Sequence, residues 1–300
     1  MEAVYELWFE REYDNREPTE LKIGIYSTEA AAKAAIEEVK NTEGFSDFPA
    51  GFQIYETKLG ITDWREGFIT EWHGVDISVT EAVQSRRSVR AFTDQPVDRE
   101  TLTRVLEKAQ RSPSGGNTQP WHGVVLTGEP MQALFDRIAQ EFPKGREAHK
   151  PEYHIYPPEL DGAYEQRRFG VGEDLYGALD ISREEKGKRL MWFAENFRAF
   201  GAPVLMLVHT PKYMGPPQWS DIGMWLQTIA LLLREEGLDS CFQEAWAVYS
   251  PQIREMVDIP EDHIFFCGMA IGYRDPDAAV NNFDVKRAGL DEAVRFEGWG

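Results

Sequence analysis

Residues 112–128 read SPSGGNTQPWHGVVLTG. Two prolines, two adjacent glycines, Asn117, Gln119 and Trp121 stand in front of an apolar run. Pro113 and Pro120 fix φ and stiffen the loop, while Gly115 and Gly116 let backbone approach a flat surface with no Cβ in the way. Asn117 adds a carbonyl and two N–H donors suited to ring heteroatoms. Glycine and asparagine are also ordinary turn residues, so the stretch is decided by what surrounds it. Trp121 reads as a core anchor and GVVLTG as a strand of the continuous, buried kind.

Upstream, TEAVQSRR reads as a short helix leading into SVRAF. Pro96 and Asp98 then announce a helix whose Leu102, Val105, Leu106 and Ala109 recur at i, i+3, i+4 and i+7, one apolar face. Downstream, MQALFDRIAQEF and KRLMWFAENFRAF read as helices and APVLMLVHT as a strand. GPPQWSDIGMWLQTIALLLREEG is a long helix, capped by Ser220 or Asp221, with Ile222, Trp225, Leu226, Ile229 and Leu233 on its apolar side. LDSCFQEAW and HIFFCGMAIGY are further strands. The alternation predicts an α/β layer architecture. Between these elements, residues 143–188 are polar and rich in Pro, Gly and Tyr, a partly helical excursion of the length that in a compact domain carries function.

The N-terminal portion follows a different plan. VYELWF (4–9) and LKIGIY (21–26) alternate like half-buried strands. Ser27 is placed to cap a helix through TEAAAKAAIEEVK, Asn41 and Gly44 stop it, and GFQIYETKL (51–59) is a third strand. This predicts a small ββαβ domain over 1–74, with DWREGFITEWHG (63–74) as its connector, and a larger domain over 75–300.

The 300 residues carry a net charge of −19. Residues 1–75 hold 7 basic and 16 acidic side chains, or −9, so the acid is concentrated there. Such a chain lacks the basic footprint of a nucleic-acid or anionic-membrane partner. Its longest apolar runs are far too short to span a bilayer, and its N-terminus is unlike a signal peptide. The two cysteines, Cys241 and Cys267, lack CxxC spacing and read as reduced core thiols of a cytoplasmic protein, and the histidines form no metal-ligand motif.

Against that acidic background QSRRSVR is anomalous: Arg86, Arg87 and Arg90 fall within five positions, with Ser88 among them. Arginine forks match phosphate oxygens bidentately and serine adds a donor. A solvated basic patch at a helix end is the other reading.

RRSVRAF, an amphipathic helix and SPSGGNTQPW before a strand occur here in that order. RRFGVGEDLYGAL, NFRAFGAPV, GPPQWSDIGMWLQT, GLDSCFQEAWAVY, IPED, GMAIGYRDPDAAVN and DVKRAGLDE follow. From about Val79 onward this resembles the flavin-dependent nitroreductase family, most of all its nitrobenzoate-reductase subgroup. The resemblance implies an α+β class, nitroreductase-like three-layer α/β/α sandwich with a mixed, mainly antiparallel sheet. It implies FMN as cofactor, NAD(P)H as transient donor, and a homodimer with the flavin site at its interface.

By position, Arg86, Arg87 and Ser88 match the family's phosphate-binding segment, and Arg90 the cation beside the flavin pyrimidine edge. Pro113, Ser114, Gly115 and Asn117 match the loop that reaches the flavin from the partner subunit. Gln243 and Glu244 match the segment whose backbone faces flavin N5, and Arg287 the C-terminal phosphate arginine. The family's lysine two positions before that arginine is replaced by Val285, with Lys286 adjacent.

No side chain needs to act as nucleophile, because the cofactor supplies the redox chemistry. The expected cycle is ping-pong, with nitroaromatic or similar flat acceptors. The excursion 143–188 would form a lid in which Tyr153, Tyr156, Tyr164, Phe169 and Tyr176 either stack on the acceptor or pack the lid down. Quinone or flavin reductases and dehalogenases of the same family are alternatives. So is a flavin-binding sensor or interaction protein working through the N-terminal domain.

Overall fold

The computed structural model describes residues 3–13, 16–58, 77–145, 148–149 and 151–299. It divides into two units, Met1–Glu71 and Trp72–Gly300. The predicted boundary at 74/75 and the connector 63–74 lie outside the described residues.

In the first unit, strands β1 (Ala3–Tyr13), β2 (Arg16–Tyr26) and β3 (Phe52–Lys58) form an antiparallel sheet in the order β2-β1-β3. Helix α1 (Glu29–Val39) connects the last two, so the chain runs ββαβ. Its cap is Thr28, not Ser27: the Thr28 hydroxyl accepts the Ala31 N–H at 3.1 Å. Leu7, Phe9 and Ala32 are buried, and Phe9 meets Phe45 and Phe52 edge-on.

The second unit is built on strands β4 (His122–Thr127), β5 (Val204–Pro211), β6 (Asp239–Gln243) and β7 (His263–Gly272), ordered β4-β5-β7-β6. All three pairings are antiparallel. Among the described residues the parallel element is a single bridge between Ser88 and Ser240. β5 is buried along its whole length, because its two side-chain rows enter different cores. Leu205 and Leu207 join the cluster around Phe197, Trp246 and Phe265. Val204, Met206 and Val208 join the one around Trp121 and Trp225. A sheet between two helical layers is the three-layer α/β/α sandwich the resemblance implies.

Helices α2 (Val79–Ser85), α3 (Arg99–Ala109), α4 (Gly128–Glu141), α5 (Gly162–Ala178) and α6 (Lys186–Ala194) precede β5. α7 (Pro216–Glu235) and α8 (Ser250–Met256) flank β6. α3 buries Leu102, Val105 and Ala109, and α7 buries Ile222, Trp225, Leu226, Ile229 and Leu233, as their spacing predicts.

Two further expectations are corrected. The run GVVLTG forms an edge strand and not a buried one: among the described residues β4 pairs only with β5, and Val125 remains 39% exposed. Neither Ser220 nor Asp221 caps α7. Pro216 and Pro217 occupy the first turn, where a missing N–H costs nothing, and the Gln218 side chain accepts the Gly215 N–H at 3.2 Å. Asp221 lies inside the helix, where its carboxylate holds the opening loop.

His209 and His263 share a hydrogen bond between their Nδ1 atoms at 2.8 Å, with His122 stacked beside His209. Burial, then the His263 and His122 charges, push the His209 pKa down to about 4. His209 is therefore neutral in the fold, while the unfolded chain takes up its proton near pH 6.5. Stability is expected to be fully present above that pH and to decline as pH falls toward 4, by about 2–3 kcal/mol for this residue. Urea midpoints compared at pH 7 and pH 5 check this, with His209→Gln flattening the dependence.

Candidate active site

α2 ends at Ser85, and the chain turns extended at Arg86 (φ −64°, ψ 129°). The Val89 N–H donates to the Ser240 carbonyl at 3.1 Å, docking this segment on β6. Val89 is fully buried, so alternation leaves Ser88 and Arg90 half-buried on the other side.

A buried brace fixes the segment from far along the chain. Asn281, 2% exposed, donates through Nδ2 to the Ala91 carbonyl at 2.8 Å and to the Asp275 carbonyl at 2.9 Å. Its Oδ1 accepts the Arg90 N–H at 2.8 Å, and its backbone carbonyl accepts from Arg87 Nη1. Sequence reasoning missed Asn281. A second anchor is Asp239, 2% exposed, gripped by Arg234 at 2.9 Å and by Arg274 at 2.5 Å. The same arginines reach the Ser85 hydroxyl and carbonyl, tying the end of α2 to the sheet.

Arg86, Arg87, Ser88, Arg90 and Arg287 line one cavity of about 590 Å³. Among the described residues Arg86, Arg90 and Arg287 make no ion pair, and Arg287 bonds only to its neighbouring carbonyls of Val285 and Lys286. Burial, then the like charge of Arg287, lower the Arg86 pKa. Asp284 also lines the cavity but pairs with none of these arginines, and desolvated, mutually repelling guanidiniums outnumber it, an arrangement that an anion would complete.

Arg90 is also on the wall of a second cavity, of about 680 Å³, with Gln243 and Glu244. Phe142, Phe193, Phe197 and Tyr249 make much of its remaining wall aromatic. Gln243 is buried, and its side chain is fully engaged: Nε2 donates to the Asn196 carbonyl at 2.7 Å and Oε1 accepts Trp246 Nε1 at 3.3 Å. Glu244 is exposed at the start of the 3-10 turn Glu244–Tyr249. Trp246 lies on Gly268, where an added Cβ would stand 2.5 Å from its ring. Gly268→Ala is expected to cost about 1–3 kcal/mol through overpacking and to displace Gln243 by way of Trp246, visible as a lowered melting temperature.

The opening loop lines neither cavity. Gly116, Asn117 and Gln119 all have positive φ (59°, 56° and 47°), a left-handed run that costs energy at the two non-glycine positions. Ser114 Oγ accepts the Gln119 N–H at 3.0 Å, and the Gly115 N–H donates to Asp221 at 3.2 Å. Trp121 stacks on Trp225 at 5.8 Å and anchors the loop to the core. Pro113, Gly115 and Asn117 stay exposed and Ser114 half-buried. The four loop residues are thus separated, within one chain, from the arginine cluster.

The excursion 143–188 contributes Ile155, Tyr156, Arg168 and Leu175 to the larger cavity. Of the five aromatics named from the sequence, only Tyr156 lines it. The Tyr153 hydroxyl donates to the Phe266 carbonyl and its ring packs on Trp219. Tyr176 carries Arg189, and Tyr164 and Phe169 are exposed.

An unpaired arginine cavity joined through Arg90 to an aromatic one, on an α/β/α sandwich, defines a domain suited to a flat, phosphorylated ligand. Residues 83–273 match the nitroreductase family, and the chain belongs to that family. It is 35% identical to a 4-nitrobenzoate reductase of Nocardioides sp. (strain LMS-CY), over 71% of this chain and 87% of the relative. A solved structure of an FMN and NADPH-dependent nitroreductase NfnB from Sphigopyxis sp. strain HMH is 52% identical. It superposes with a TM-score of 0.73, covering 74% of this chain and all of that one. An FMN-dependent NfnB from Mycobacterium smegmatis, solved with NADPH, is 31% identical with a TM-score of 0.69 and coverages of 73% and 97%. The N-terminal unit precedes the family match. No helix among the described residues is long and apolar enough to cross a membrane.

Proposed function

We propose that this chain is an FMN-dependent NAD(P)H oxidoreductase that reduces nitroaromatic or similarly flat acceptors by a ping-pong mechanism. The observation that carries the proposal is the set of unpaired arginines around one cavity, with Arg90 shared by an aromatic second cavity. When bound, FMN supplies the redox step. A hydride from NAD(P)H and a proton from solvent convert a nitro group to a nitroso group and water.

This chain's residues bind and orient. Arg86, Arg87, Ser88 and Arg287 hold a phosphate in the smaller cavity, where Arg86 and Arg287 have no ion pair among the described residues. Arg90 places a fixed cation on the shared wall and favours negative charge there. Gln243, immobilised by Asn196 and Trp246, holds the backbone at Gln243–Glu244 against the reacting face. The aromatic walls exclude water and accept flat rings one at a time, first the nicotinamide and then the acceptor.

The opening loop belongs to the same proposal. Its exposed, preformed backbone lies apart from its own chain's cavities, so Pro113, Ser114, Gly115 and Asn117 complete the flavin site of a second copy in a homodimer. Two buried free thiols, Cys241 and Cys267, suit a reducing cytoplasm.

Purified protein is expected to be yellow, to release FMN on denaturation and to oxidise NAD(P)H in step with nitroaromatic loss, with parallel double-reciprocal plots. A colourless preparation that takes up no FMN overturns the reading. Intersecting plots overturn the ping-pong order, and a monomer in sedimentation overturns the shared site.

A further inference from the structure

We propose that Arg168 selects acceptors that carry a carboxylate on the aromatic ring. The inference rests on the reductase reading above and names the substrate class of the same site. Arg168, on α5, lines the 680 Å³ cavity together with Tyr156. Its guanidinium carbon sits 4.2 Å from the centre of the Tyr156 ring. A guanidinium stacked on an aromatic face keeps its N–H edge free and fixed in direction, ready for a bidentate anion.

The neighbouring arginines are already committed. Arg167 is bound to Glu292 at 2.6 Å and Arg189 to Glu173 at 2.7 Å. Among the described residues Arg168 has no ion pair or hydrogen bond, and its guanidinium meets the Tyr156 ring alone. Among the described residues the charged ones lining the cavity are Arg90, Arg168 and Glu244, a net positive set in a chain of net charge −19. Arg90 sits on the wall shared with the phosphate cavity, which leaves Arg168 on α5 as the cation available to the acceptor. A ring bearing one carboxylate matches this pattern: an aromatic enclosure with one preorganised fork on its wall.

The test compares wild type, Arg168→Gln and Arg168→Lys as flavin-loaded proteins, with 4-nitrobenzoate and nitrobenzene as acceptors. An exposed arginine–carboxylate pair contributes up to about 1 kcal/mol, which corresponds to a roughly fivefold change. Arg168→Gln is expected to raise KM for 4-nitrobenzoate roughly fivefold with kcat retained, and to leave nitrobenzene unaffected. Arg168→Lys is expected to fall between. Equal effects on both acceptors, or none on either, overturn the proposal. So does a loss confined to NADPH relative to NADH, which would place the donor's phosphate on Arg168. Calorimetry with benzoate against benzamide gives a readout without turnover. Should wild type reduce neither acceptor, the reductase reading falls. Benzoate binding roughly fivefold weaker in Arg168→Gln would then still uphold Arg168 as a carboxylate site, and equal binding would remove it.

Discussion

Replacing Arg86 and Arg90 together by alanine is expected to give a folded protein that purifies without flavin. Each hydrogen bond to a charged group contributes about 1.5–3 kcal/mol. Loss of two such partners therefore weakens retention by a factor of roughly a hundred or more. The fold should survive, because neither guanidinium is ion-paired within the described residues and the Asn281 brace holds backbone atoms. Flavin per chain, read from the visible spectrum after gel filtration, is the measurement. Circular dichroism and melting controls exclude unfolding. Stoichiometric flavin in the double variant would remove these two residues from the proposed phosphate site, whatever the activity.

The other large effect is expected at Asp239, a fully engaged buried carboxylate between Arg234 and Arg274. Asp239→Ala leaves two guanidiniums facing each other with no anion. Breaking a buried pair from one side costs about 3–5 kcal/mol. For a unit of this size that lowers the melting temperature by roughly 6–20 °C. Because Arg234 and Arg274 also bind Ser85, flavin retention should weaken as well, since Arg86 follows directly. A triple variant in which Arg234→Met and Arg274→Met accompany Asp239→Leu tests the cause. If uncompensated charge is the source, the apolar set recovers much of the stability while Ser85 stays untethered. A melting temperature unchanged in Asp239→Ala would show that water already screens this pair.

Much of the architecture is legible in the sequence because burial imposes a period. The faces of α3 and α7 emerge from i, i+3, i+4 spacing, and the unbroken apolar run of β5 marks a strand covered on both sides. β4 shows the limit. GVVLTG has the same composition whether central or at an edge, and only pairing order decides. The start of α7 was obscured because Ser and Asp look like caps, whereas Pro-Pro after Gly215 sets the boundary. At the site, the arginine cluster stands out because the rest of the chain is acidic. Asn281 does not, since one asparagine in a loop is ordinary and its partners lie some 190 positions earlier. The strained backbone at Ala199 and Phe200, with φ of 49° and 54°, likewise leaves no mark on residue types.

The bridge from Ser88 to Ser240 has a consequence for handling the protein. β6 terminates one side of the larger sheet, and the arginine segment is what blocks its outer hydrogen-bonding groups. Cofactor-stripped material, in which the guanidiniums repel one another, should loosen that flap and present a bare ribbon to other molecules. Stocks of stripped protein are therefore expected to turn turbid sooner than loaded ones, and added FMN to act as a preservative.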